Sequence, residues 1–372
     1  STDNYILGAN GGSLQYGYKP DNIKRDDLSW EKNQMINAGI DLQMFDGYIG
    51  FSVDYYNTNT SNMLLYVPVP LLTGYSTSLQ NIGKVNNRGW ELALTSQHTF
   101  ANGFGYSFNA NYAKNTNEVK ELGPGNAPII STGSVGHAFY KTEVGKPIGN
   151  YYLLVQDGIF ATAEDLKKYP HFDNTEVGDF RFVDVDGDGK LDLDKDRTIC
   201  GNYMPKFTYG FGGKLWYAGF DMDFNFQGVY GNKILNLNKR YLDNMEGNTN
   251  GTKIALDRWK SPENPGSGSV NKANRKQTGY NSRTSTWHLE SGSYLRLQNL
   301  SLGYTLPRAL TQKFKVEKMR VYVSGQNLFT ITNYSGYNPE VNARPSKNLT
   351  PGEDYGTYPL ARTYMFGLNL TL

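Results

Sequence analysis

The run Phe220-Asp221-Met222-Asp223-Phe224-Asn225-Phe226-Gln227 alternates without a break. Phe220, Met222, Phe224 and Phe226 hold one parity, and Asp221, Asp223, Asn225 and Gln227 hold the other. A strand sends successive side chains to opposite faces, so this run makes a ribbon with one apolar and one polar face, whereas a helix would mix the two sets. The split recurs in Ala38, Ile40, Leu42 and Met44 against Gly39, Asp41 and Gln43, and in Ile49, Phe51, Val53 and Tyr55 against Gly50, Ser52 and Asp54. It returns in Trp90, Leu92 and Leu94 against Glu91 and Thr95, and in Tyr106, Phe108, Ala110 and Tyr112 against Ser107, Asn109 and Asn111. Further strands are predicted near 207–217, 294–306, 319–329 and 362–372, giving about nine in all, several of them about ten to thirteen residues long. Between Leu297 and Leu300 the apolar parity slips, which predicts a β-bulge near Gln298 and Asn299.

Composition agrees with one extended β architecture. The 372 residues include 41 Gly, 28 Tyr and 18 Phe but only 38% hydrophobic residues, as suits strands that are apolar on one face. Mean hydropathy is -0.57 and no run approaches the roughly 18 apolar residues of a membrane helix, so a membrane span here has to be a barrel. The 37 basic and 35 acidic residues are interspersed, which argues against nucleic acid as a partner. Cys200 is the only cysteine, reads as a small residue at a loop end and excludes an internal disulfide.

The connections are asymmetric. Asp46-Gly47, Ala101-Asn102-Gly103 and Ala218-Gly219 mark tight hairpins, while the alternate links run through roughly 66–85, 117–205, 232–292 and 331–360. Short turns at one end and long loops at the other are the plan of an outer-membrane barrel with its long loops outside the cell. Phe45, Tyr48, Phe100, Phe104, Trp216, Tyr217 and Phe220 crowd the short-turn end as an aromatic girdle at headgroup level. An odd strand count leaves an antiparallel barrel incomplete, so the fold expected is all-β, about nine strands of a larger barrel, with the C-terminus periplasmic. Ser1 opens the chain without a basic and apolar leader, which fits either a removed signal peptide or a start that is not the gene's, and the odd strand count favours the second, with the remaining strands in a missing or separate N-terminal part. A soluble β-sandwich also alternates, but has no need of long strands, one-sided turns and a girdle together.

Three motifs carry a family resemblance. Gln80-Asn81-Ile82-Gly83-Lys84-Val85-Asn86-Asn87-Arg88-Gly89-Trp90-Glu91 resembles the strand-entry motif of SusC/RagA proteins. Ser293-Tyr294-Leu295-Arg296-Leu297-Gln298-Asn299-Leu300-Ser301-Leu302-Gly303-Tyr304 is similar to a second, and Arg320-Val321-Tyr322-Val323-Ser324-Gly325-Gln326-Asn327-Leu328-Phe329 with Tyr337-Asn338-Pro339-Glu340 to a third. Arg362-Thr363-Tyr364 and Gly367-Leu368-Asn369 match the closing strand, so the resemblance runs from about Leu28 to the end. It implies the C-terminal portion of a TonB-dependent transporter, whose whole has a barrel expected to have 22 strands. It also implies a plug inside the barrel, energy from TonB and a SusD-like surface lipoprotein as lid. The plug, the N-terminal domain and the signal peptide are expected outside these residues.

Asp184, Asp186, Asp188, Lys190 and Asp192 occupy positions 1, 3, 5, 7 and 9 of a calcium loop, with Gly187 at position 6. Lys190 would give its carbonyl. Lys195 stands where the closing carboxylate is expected, so Asp194, Asp196, a water or another loop would complete the shell of one structural calcium ion. Asp41, Asp54, Glu91, Asp221 and Asp223 lie on the polar parity and are expected to line the lumen, where charge is tolerated. His98, His137, His171 and His288 lack ligand spacing, and Trp259 with its flanking prolines reads as a loop anchor. No nucleophile elbow, phosphate loop or paired-carboxylate motif supports an enzyme.

The resemblance thus implies an outer-membrane importer of nutrient oligomers, either oligosaccharides or oligopeptides, in contact with outer-membrane lipid and the rest of the same transporter. A passive pore or adhesin would share the barrel, and a secreted calcium-stabilised carbohydrate-binding protein would share the loops.

Overall fold

The computed structural model describes residues 2–6, 14–18, 23–75, 77–276 and 279–372. One antiparallel sheet dominates. Its nine strands are β1 (Lys32–Met44), β2 (Ile49–Pro68), β3 (Thr77–Thr99), β4 (Gly105–Glu121), β5 (Phe207–Tyr217), β6 (Phe220–Tyr230), β7 (Tyr294–Thr305), β8 (Lys318–Thr332) and β9 (Thr363–Thr371). They pair in chain order, and β1 and β9 are edges rather than partners, so the sheet is an open section of a barrel. A separate hairpin of Thr2–Ile6 with Leu14–Tyr18 precedes it.

Register fixes the faces. Asp41, Ser52, Ala93, Asn111, Gly210, Gln227, Arg296 and Thr330 stand opposite one another across eight successive strands. The adjacent row is Ile40, Val53, Leu92, Tyr112, Tyr209, Gly228, Leu295 and Ile331. One face is therefore small and polar, and the other apolar and aromatic. Ile40, Phe220, Phe366 and Leu370 on the apolar face are half or more exposed, as lipid-facing side chains are. The predicted bulge is present: Asn299 opposes Asn225 and Leu297 opposes Phe226, leaving Gln298 extra. In β8 Asn327 takes a left-handed φ of 52° beside it, and both strands return to phase.

The short turns fold as their residues dictate. Ala218 (φ 48°) and Gly219 (φ 89°) form a two-residue turn between paired Tyr217 and Phe220, the twist that suits a tight hairpin. Tyr48 and Phe100 meet the His98 ring edge-on at 4.5 and 4.4 Å, which builds His98 into the girdle. Trp216 departs from the expected girdle. It pairs with Gly105 on the polar parity, and its indole covers that glycine. A second girdle, unread in the sequence, joins Tyr55 to Trp90 and Tyr112 to Phe207 to Tyr230. From Phe207 to Tyr217 the strand runs about 33 Å, which at a tilt of about 40° matches an apolar band about 25 Å tall.

Two boundaries differ from expectation. The link expected over 66–85 is mostly strand, since β2 and β3 pair as far as Pro68 and Thr77. A bulge at Asn62 (φ 58°) breaks the alternation there and hid the strands. At 23 residues β3 is about 75 Å long, far more than a bilayer needs. The other long links are packed structure rather than open loops. Ile129–Thr132, Phe139–Thr142, Asn150–Leu154 and Arg197–Ile199 form one sheet, and Lys233–Asn236 with Leu289–Ser291 and Glu353–Asp354 form another. The buried apolar clusters lie in this outer layer and at the tops of β3 and β4.

Candidate functional site

The polar face of the sheet is the inner wall of the barrel. Asp41, Asp54, Glu91, Asp221 and Asp223 all fall on it by register, as expected. A recess of about 670 Å³ opens in this wall, with Asp54, Glu91, Asn109, Asn111 and Gln227 around its glycine floor at Gly210. An apolar recess of about 570 Å³, holding Leu215, Met222, Leu302 and Val321, lies on the lipid face and is no cargo path.

Two motif glycines let side chains reach across a strand. Arg320 on β8 lies over Gly303 on β7 and donates from Nε and Nη2 to Asp221 on β6, at 2.9 and 2.5 Å. Tyr56 on β2 likewise covers Gly89 on β3, and its hydroxyl reaches Asn115 on β4 at 3.1 Å. A methyl group at either glycine would meet that side chain.

At the outer end of the wall, motifs far apart in sequence meet. Arg296, 3% exposed, donates to Asn338 Oδ1 at 2.8 Å and Thr330 Oγ1 at 2.9 Å and ion-pairs with Glu340. Tyr294 donates its hydroxyl to Glu340 at 2.6 Å, and Gln227 donates to the same carboxylate at 3.2 Å. The last long connection is thereby pinned to the wall. Glu353 is fully buried in the layer above and accepts from Ser134 N and from the Tyr140 hydroxyl, at 3.0 Å each. Buried Asp354 accepts from the Tyr334 hydroxyl at 2.5 Å.

In the acidic loop the carboxylates of Asp184, Asp186 and Asp188 converge within 4.8 Å, and no other such group occurs among the described residues. Gly187 N and Gly189 N donate to Asp184 at 2.7 and 2.8 Å, which turns the chain around that carboxylate. Asp196 lies elsewhere: it is fully buried and accepts from Val185 N and Asp192 N. Its role is to close the loop at its base. Asp192 Oδ1 accepts from Asp194 N and Lys195 N, and the Lys195 ammonium reaches back to Asp188 at 3.9 Å. Lys190 N donates to Asp188 at 2.9 Å.

The remaining singled-out residues are structural. Trp259 packs among Phe172, Phe180 and Phe182 and donates to the Ala161 carbonyl at 3.3 Å, an anchor as expected. Cys200 lies against the core around Tyr151, where burial pushes its thiol up. His171 stands edge-on to Phe160, and His288 is wholly buried.

The family described as "TonB dependent receptor-like, beta-barrel" matches residues 2–328. The chain belongs to that family, in its SusC/RagA class. It is 34% identical to TonB-dependent receptor P3 of Formosa agariphila over 358 residues, 93% of this chain and 34% of that protein. With TonB-dependent receptor SusC of Bacteroides thetaiotaomicron it shares 27% over 365 residues, 96% of this chain and 34% of the relative. The structure of the RagAB peptide transporter aligns over the whole chain with a TM-score of 0.77 at 25% identity, covering 38% of that partner in the alignment. The chain thus spans about a third of the length of the relatives it matches. It is a section of the wall of a bacterial outer-membrane β-barrel of the TonB-dependent receptor type, and the family is non-enzymatic.

Proposed function

We propose that the chain is part of an active importer of nutrient oligomers, energised by TonB and covered by a SusD-like lipoprotein lid. The observation that carries the reading is the outer layer. It is a packed body with its own cores, bonded to the wall through Arg296 and Glu340, and built to present a fixed surface to cargo and lid. A passive pore needs no such body. Oligopeptides are the favoured cargo over oligosaccharides, on the alignment with the RagAB peptide transporter. The test uses cells in which the full-length gene is the sole route for a peptide nutrient. Removing TonB or the SusD-like lipoprotein should abolish growth on the oligomer and spare growth on free amino acids; growth that persists without TonB marks a passive pore.

In this reading the acidic loop holds one structural calcium ion through Asp184, Asp186 and Asp188, with the Lys190 carbonyl and Asp192 completing the near side. Three carboxylates within 4.8 Å repel one another unless a cation gathers them. The ion would order the segment ahead of β5. We expect calcium to raise the melting temperature of the full-length protein, and Asp186→Asn with Asp188→Asn to remove that increment; equal melting with calcium and with a chelator would sink the site.

A further inference from the structure

We propose that Arg197, Arg240 and Arg283, gathered around His137 in the outer layer, bind a carboxylate of an anionic oligopeptide cargo, an inference that rests on the importer reading above. Three separate segments of two connections deliver these residues: Arg197 comes from the link between β4 and β5, and Arg240 and Arg283 from the link between β6 and β7. Arg197 pairs with Leu154 in one sheet, and Leu154 bridges on its other side to Ser285, two residues from Arg283. Arg240 sits on the short helix Lys239–Leu242 and donates to the carbonyl of Ser282, the residue before Arg283. Arg283 in turn meets the His137 ring, and the Arg197 guanidinium lies 3.8 Å above the Phe139 ring, two residues further on.

Charge is unbalanced here. Among the described residues Arg240 and Arg283 meet no carboxylate at ion-pair distance, and Arg197 meets only Asp194, whose side chain is 93% exposed. Burial and the three guanidiniums push His137 down to about 4, so its imidazole is neutral at pH 7; Arg197 keeps Asp194 and the field of Arg240 reaches buried Glu246, which leaves positive charge in excess at Arg283. The Arg197 side chain is only 9% exposed, so its charge acts in a less polar medium than water and draws an anion more strongly. Guanidinium forks match a planar carboxylate with two parallel hydrogen bonds. Beside Arg240, half-exposed Tyr241 and Tyr355 share a 3.2 Å hydroxyl contact and offer ring faces to the rest of a peptide.

The test is calorimetry on the full-length transporter with its lipoprotein, using a synthetic acidic peptide and the same peptide with every carboxyl amidated. Native protein should bind the acidic form at least tenfold more tightly, and Arg240→Gln with Arg283→Gln should bring the two forms within twofold by weakening the acidic one. Should that variant fail to melt cooperatively, salt decides instead: sodium chloride should weaken native binding of the acidic peptide and leave the amidated one unaffected. Equal native affinity for both forms, or a salt response shared by both, overturns the site while TonB-dependent peptide uptake keeps the importer reading. A stronger preference for an oligouronate than for the acidic peptide overturns the peptide assignment in favour of an acidic glycan.

Discussion

Gly303 carries no side chain, and Arg320 occupies the space this leaves. The guanidinium crosses β7 to reach Asp221 two strands away, so one ion pair ties three strands together on the wet face of the sheet. Gly303→Val would push the arginine off its path and leave the half-buried Asp221 carboxylate unpaired. We expect a loss of about 1–3 kcal/mol in urea unfolding of the detergent-refolded protein, while Ser301→Val on the same face costs less; equal losses would show that the crossing carries no stability. His288 sets a second expectation. Burial first, then Lys239 and Arg240, hold its value down to about 3 against an ordinary 6.5. The unfolded chain takes up a proton below about 6.5 and the folded chain does not, so stability is full above that pH and falls as pH drops toward 3. At pH 5 the loss is about 2 kcal/mol. Buried Glu246, raised by desolvation, acts in the opposite sense, because its folded carboxyl binds protons more readily than the unfolded one. His288→Gln should therefore flatten the melting profile between pH 6.5 and 5, and an unchanged slope would show that another group sets it.

Strand β6 shows why the elements of the wall were legible. Its apolar parity meets lipid and its polar parity meets water, so nothing blurs the alternation of Phe220 to Gln227, and register confirms the parity across the sheet. Phe224→Asp would put a carboxylate on the lipid face at a cost of about 3 kcal/mol, whereas Asn225→Asp adds charge to a wet wall. Folding yields into lipid vesicles should fall sharply for the first and little for the second; equal yields would mean that the faces are reversed. Elements that lack two such solvents were not readable. Trp216 has the composition of a girdle residue, but its place is set by Gly105 opposite, a pairing that composition does not reveal. The upper parts of β2 and β3 stand beyond the bilayer, where Asn57, Asn59 and Asn86 replace apolar residues with a ladder of amides. The candidate site divides the same way: the carboxylates of Asp184, Asp186 and Asp188 follow from local spacing, whereas the arginines around His137 come together only through folding.

At the scale of the whole molecule, the outer layer has no counterpart in the one-dimensional pattern. Its strands are two to five residues long, too short for a period to emerge, and each sheet draws on segments separated by many tens of residues. Leu235 and Asn236, for instance, pair in parallel with Glu353 and Asp354. That single pairing carries a consequence for biogenesis. A parallel partner from so distant a segment becomes available only after β6, β7 and β8 have crossed the bilayer and delivered both connections to the same side, and closing so long a loop is slow. The layer should therefore acquire protection later than the strands it rests on. In a pulse-labelled refolding experiment, protease resistance of the connection between β6 and β7 should lag behind that of the strands themselves. A Glu353→Ala variant, with the buried acceptor for Ser134 and Tyr140 removed, should insert on schedule yet stay clipped at its outer face, as a finished wall with an unsealed roof.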